Sequence, residues 1–193
     1  AGHTFGLLHS TGRENDGNPY DSYWDVMSGG GDNEKVVDGT IGDVPPGTIG
    51  YHIAQLDVAP SRIVTVNKGQ TETLTIEQLM NARDNGNPLV AIVPIDTNNS
   101  LYFDFPKHFL TVEVRFPGGY EDAMPADDPV VLIYDVLPDA PYTGGRDEPA
   151  VFVDRDGGSV NTLNSAWVEG TTYFDSSNNI IIDIVSKGDS GAF

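Results

Sequence analysis

The chain has 193 residues, 38% of them hydrophobic and including 8 Phe, 8 Tyr and 2 Trp, which is enough for one large domain or two small ones with a sizeable core. Lys and Arg number 10 and Asp and Glu 29, so 10 − 29 = −19, a surface that repels phosphate backbones and argues against nucleic acid as a partner. Cysteine is absent, which excludes a disulfide framework, thiol catalysis and Cys-ligated metal, and no apolar run approaches the length of a membrane span.

In chain order, Ala1 to His9 reads as a helical turn or two, with Phe5, Leu7 and Leu8 apolar. Positions 10–46 are dominated by Gly, Asp, Asn, Ser and Pro, the composition of a long irregular loop, and loops of that length are usually functional or disordered. A second helix is expected over Gly47 to Leu56, where Ile49, Ile53 and Leu56 share a face, and Pro60 closes it. Beyond Pro60 the period changes. Strands are expected at 63–66, 89–93, 130–134, 151–153 and 180–185, and the alternation of Leu110, Val112, Val114 and Phe116 with Thr111, Glu113 and Arg115 predicts a half-buried antiparallel strand. Glu113 and Arg115 then read as a surface or rim ion pair. Short strands parted by turn residues suggest a β-sandwich. The predicted fold is therefore α+β: a helical, loop-rich part over 1–59, followed by a mainly antiparallel β-sandwich module over 60–193.

The opening Ala1-Gly2-His3-Thr4-Phe5-Gly6-Leu7-Leu8-His9 carries two histidines six apart with a glycine midway. A helix continued past Gly6 would point His9 away from the face bearing His3, because six residues are not a whole number of turns. A left-handed conformation at Gly6 ends the helix and swings the chain round, so that both imidazoles can converge on one metal. Catalytic zinc needs three protein ligands and an open position, and the third ligand is missing from this pattern.

This segment resembles the end of the metzincin zinc motif H-E-x-x-H-x-x-G-x-x-H, with Ala1 and Gly2 filling the first x-x pair. Tyr23-Trp24-Asp25-Val26-Met27-Ser28-Gly29 resembles the Met-turn of that clan, with Met27 eighteen residues beyond His9 (27 − 9). The stretch from Gly47 to Leu56 is similar to the helix that follows that turn. The segment around 109–134 is similar to the β-rich region after the catalytic domain in gametolysin-like and immune-inhibitor-like secreted peptidases. The resemblance implies an extracellular zinc endopeptidase acting on protein or peptide substrates. His3 and His9 would be metal ligands, Gly6 would permit the bend, and Met27 would form an apolar floor beneath the metal. The motif's first His and its general-base Glu correspond to positions just before Ala1, and no residue of this chain matches them. The chain by itself is therefore expected to be inactive and to hold zinc weakly. Some metzincins place a Tyr two residues after the methionine, where this chain has Gly29.

The remaining candidates are read more plainly. His52 and His108 are expected to be core or surface histidines, and Tyr20, Tyr23 and Trp24 loop aromatics that either line a cleft or are buried. Asp154 to Ser159 alternates acids and glycines as a calcium loop does. The twelfth-position acid of an EF-hand would fall on Ser165, so a hairpin turn is favoured, with Ca2+ as the alternative. Glu14, Asp16 and Asp21 are equally ambiguous. The competing function is a non-catalytic secreted β-sandwich for adhesion or carbohydrate binding, which accounts for 60–193 but leaves the first thirty positions unexplained.

Overall fold

The structure, a computed structural model, describes residues 2–12, 18–29, 36–40, 42–80, 82–101, 103–122, 124, 126–143, 146–157 and 162–187. Among these the chain is mostly β. Its elements are β1 (Ser10–Thr11), β2 (Val36–Asp38), β3 (Gly42–Val44), α1 (Gly50–Gln55), β4 (Ile63–Thr65), β5 (Val90–Asn99), β6 (Pro106–Arg115), β7 (Val130–Val136), α2 (Ala140–Thr143), β8 (Ala150–Phe152), β9 (Thr172–Asp175) and β10 (Ile180–Asp183). Helix is slight. The expected first helix is a 3-10 turn over Gly2–Phe5, and the second is the six residues of α1. No described helix is long and apolar enough to cross a membrane.

A six-stranded mixed sheet runs in the order β1-β8-β7-β6-β5-β4. Its inner pairings are antiparallel, whereas the edge pairs β1 with β8 and β4 with β5 are parallel. Two hairpins, β2–β3 and β9–β10, stand beside it. The strands expected at 63–66, 89–93, 110–116, 130–134, 151–153 and 180–185 fall on β4, β5, β6, β7, β8 and β10. β1, β2, β3 and β9 come from stretches that carry no strand period in the sequence.

Both faces of the sheet are covered. Phe109, Leu132, Tyr134 and Phe152 face Trp24 of the N-terminal loop and Ile49 and Tyr51 at α1, all in one buried cluster. Leu110, Val112, Val114 and Ile133 face Ile76, Trp167 and Ile184, with Tyr173, Ile180 and Ile182 of the β9–β10 hairpin packed alongside. The chain on either side of position 60 thus contributes to a single core.

This double cover corrects the expectation for β6. The strand is not half-buried, because Thr111, Glu113 and Arg115 on its polar face are as inaccessible as the valines on the other. The ion pair between Glu113 and Arg115 lies in the interior, with both side chains fully enclosed. Charges are tolerated there only when their hydrogen bonds are made inside the protein, and Arg115 makes them all with backbone and carboxylate acceptors.

α1 is short because of what bounds it. No side chain caps its N-terminus from Ile49; instead the N–H of Gly50 donates to the Glu113 carboxylate, sixty-three residues further along the chain. At the other end Asp57 takes a left-handed conformation (φ 53°), and the N–H of Val58 reaches back to the carbonyl of Ile53, which stops the helix before Pro60.

Candidate metal centre

The first turn of chain ends as its glycine requires. Gly6 has φ of 80°, and its N–H donates to the carbonyl of His3 at 3.1 Å, closing the 3-10 turn and reversing direction. The side-chain amide of Gln55 on α1 donates to the Gly6 carbonyl. The reversal brings the His3 and His9 rings to a centroid separation of 4.7 Å, edge to face. His3 is exposed and His9 half-buried.

Each imidazole is held through its Nδ1. His3 Nδ1 bonds the carbonyl of Leu7 at 2.8 Å, and His9 Nδ1 bonds the carbonyl of Met27 at 2.5 Å. A neutral ring that donates from Nδ1 carries its lone pair on Nε2, so these two backbone acceptors select the tautomer in which both Nε2 atoms can act as ligands. The Tyr20 phenol donates toward His9 Nε2 at 3.4 Å, with its ring edge to face against His9 at 4.7 Å.

Met27 sits in a tight turn shaped by Asp25. The Asp25 carboxylate accepts the N–H of Met27 at 3.1 Å, and the Asp25 carbonyl accepts the N–H of Ser28 at 2.9 Å, the local bonding that makes aspartate a turn residue. The N–H of Gly29 closes the loop on the Ser22 carbonyl. The Met27 thioether lies against Gly2: a Cβ at that position would overlap Sδ and Cε. The four residues named from sequence, His3, Gly6, His9 and Met27, therefore meet at one place. Gly2, which the motif treats as a variable position, belongs with them.

Asp25 also anchors a buried polar network. Its carboxylate accepts hydrogen bonds from Ser10 Oγ at 2.7 Å and Thr48 Oγ1 at 3.0 Å, and Thr48 Oγ1 lies 2.7 Å from His52 Nδ1. Burial pushes the Asp25 carboxyl up, but attraction to His52, 3.6 Å away, and the hydrogen bonds from Ser10 and Met27 outweigh it and hold the group below the usual carboxylate range. Among the described residues His52 Nε2 has no partner, and it is enclosed. His52 lies far from solvent on α1, whereas His108 is part-exposed on β6 and pairs with Asp135 at 2.6 Å.

Glu148 lies in the turn before β8. The parallel register Ser10–Ala150 and Thr11–Val151 runs the turn before β8 beside the stretch that carries His9. The buried Arg146 guanidinium grips the carbonyls of Glu148 and Pro149. Burial and the charge of Asp147 push the Glu148 carboxyl to about 7, against the pull of His3. Nothing local in the sequence marks Glu148, since its place depends on a parallel pairing between stretches 140 residues apart.

The loop aromatics divide: Trp24 is enclosed in the core, and Tyr20 stands exposed beside His9. Asp21 accepts from Thr11 Oγ1 and the N–H of Gly12, while Glu14 and Asp16 lie outside the described residues. Asp154 accepts the N–H of Asp156 in a local turn, and Gly158 and Ser159 of the considered calcium loop also lie outside them.

On donor chemistry the histidine pair fits a zinc ion, offering two imidazole Nε2 atoms with fixed tautomers and an apolar thioether alongside. Among the described residues no three His, Asp or Glu side chains form a metal-holding group, and a catalytic zinc site uses three protein ligands. Compared with models of known families, with curated proteins and with solved structures, the chain matches none.

Proposed function

We propose that this chain is the C-terminal part of a secreted zinc-dependent endopeptidase of the metzincin kind. On this reading residues 1–59 are the end of the catalytic domain, and the β-sandwich-like residues 60–193 share one core with it. The observation that carries the reading is the shared anchoring of His3 and His9: each ring donates Nδ1 to a backbone carbonyl, one of them the carbonyl of the Met-turn methionine. Two histidines that merely stacked on a surface would have no need of matched tautomers.

His3 and His9 would hold the metal through Nε2, with the remaining ligand and the general-base glutamate supplied by the His-Glu pair that the motif places before Ala1. A zinc ion in that setting supplies Lewis-acid polarisation of a peptide carbonyl and activates water. The chain's own residues do the rest. Leu7 and Met27 carbonyls orient the rings, Gly6 turns the chain so that the rings approach, and the Met27 thioether packs against Gly2, next to His3 in the chain. The exposed Tyr20 stands beside His9, with its hydroxyl 3.4 Å from Nε2.

The experiment is reconstruction. A longer chain with a His-Glu-bearing catalytic half ahead of Ala1 should cleave an unfolded protein in a chelator-sensitive way. His9→Ala in it should lower zinc content and rate together, by about tenfold or more, because one of three ligands is gone. Full zinc occupancy and rate in His9→Ala would remove His9 from the ligand set and the reading with it.

A further inference from the structure

One side chain of β6 reaches the turn that carries Met27. Arg115 is fully enclosed, and its five N–H donors all have acceptors. Nε donates to Glu121 Oε2 at 2.8 Å, Nη1 to the Trp24 carbonyl at 2.8 Å and to Glu113 Oε1 at 3.3 Å, and Nη2 to the Gly47 carbonyl at 3.4 Å and to Glu121 Oε1. The Gly47 carbonyl also accepts the N–H of Val26, and Glu121 Oε1 accepts the N–H of Gly47 at 3.0 Å. One guanidinium thus ties down the residues on both sides of Asp25, and Asp25 in turn holds the N–H of Met27.

We propose that Arg115 is a positioning residue for the histidine pair: by fixing Trp24 and Val26 it aims the Met27 carbonyl at His9 Nδ1, and so sets the tautomer and orientation of the His9 ring. The inference rests on the reading of His3 and His9 as a ligand pair, and it adds that the sheet is part of the metal site's support. A fork of five donors in one plane is what the arrangement uses. A lysine has three donors on a single atom and cannot span the Trp24 and Gly47 carbonyls and two carboxylates together.

The structure contains its own control. His3 Nδ1 is held by Leu7, within the same turn of chain, and owes nothing to Arg115. In the 193-residue chain without metal, long-range proton–nitrogen spectra of the histidine rings should show both His3 and His9 protonated at Nδ1. In Arg115→Lys, His9 should become a mixture of tautomers while His3 keeps its own, and the affinity of the chain for added zinc should fall about tenfold or more. Glu121→Gln, which preserves shape but turns one carboxylate oxygen into a donor facing the guanidinium, should move His9 in the same direction by less, and it decides the matter if Arg115→Lys does not fold.

A His9 tautomer unchanged in folded Arg115→Lys or, failing that, in Glu121→Gln overturns the proposal. So does a change in His3 as large as that in His9, which would mark general loss of structure. Failure of zinc to perturb either ring in the unsubstituted chain counts against the metal reading alone, since the tautomer comparison needs no metal.

Discussion

Met27 makes two different contacts near the histidine pair. Its thioether packs beneath Gly2, and its carbonyl accepts from His9 Nδ1. The two nearby glycines are needed for different reasons, and substitution should separate them. Gly2→Ala puts a methyl into the Met27 thioether, the end of a flexible side chain that can swing aside, and should cost about 1 kcal/mol. Gly6→Ala meets open space but must hold φ at 80°, which should cost about 1–2 kcal/mol. Urea unfolding measures both losses, and the Met27 methyl resonance should shift in Gly2→Ala far more than in Gly6→Ala. An unmoved methyl in Gly2→Ala would mean that the thioether does not lie where it is described. At this scale much of the site was legible. The spacing of His3, Gly6 and His9 demands a reversal, and only a left-handed glycine makes it cheaply. Gly2 was not legible, because close approach to a residue 25 positions away (27 − 2) leaves no local trace.

β6 shows why the sequence misleads about an element. Thr111, Glu113 and Arg115 alternating with Leu110, Val112 and Val114 have the period of a strand wet on one side. The acceptors that make burial affordable come from Trp24 and Gly47, 91 and 68 residues away, and from Glu121. Glu113 is the less well served partner. Glu121 takes two bonds from the guanidinium and Glu113 one, so burial dominates and pushes the Glu113 carboxyl from 4.5 to about 7, against the pull of Arg115 and the Gly50 N–H and with the charge of Asp25 adding to the rise. The buried Tyr134 faces the same group. The folded protein therefore holds this proton more tightly than the unfolded chain. The contribution is fully present below about pH 4.5 and is lost as pH rises through 7. Asp25 and Asp135 act oppositely: their carboxyls are lowered in the fold, so their contribution is present above the ordinary 3.8 and lost as pH falls through the folded values. Stability should peak in mildly acidic solution and decline toward neutrality, with Glu148 adding to that decline. Glu113→Gln should flatten the slope between pH 4.5 and 7 in urea titrations, and an unaltered slope would show that Glu113 is ionised in the fold throughout.

For the molecule as a whole, the change of period near position 60 is real, yet Trp24, Ile49 and Tyr51 from before it share a core with Phe109, Leu132 and Phe152 from after it. Composition could not show this. The described parts of 10–46 look irregular in sequence because they are tied down by the anchoring residues Ser10, Asp25 and Trp24, by a two-residue strand paired in parallel to β8 and by the short β2–β3 hairpin. The central claim is that His3 and His9 are two of the three protein ligands of a metal site, binding through their Nε2 atoms. Its most direct test is a zinc titration of the 193-residue chain followed through the ring nitrogens of its four histidines. The account expects Nε2 of His3 and of His9 to shift together on one binding curve while Nδ1 of each stays protonated, with His52 and His108 unmoved. Zinc that engages Nδ1, moves His108 in place of the pair, or shifts His3 and His9 on separate curves would contradict it.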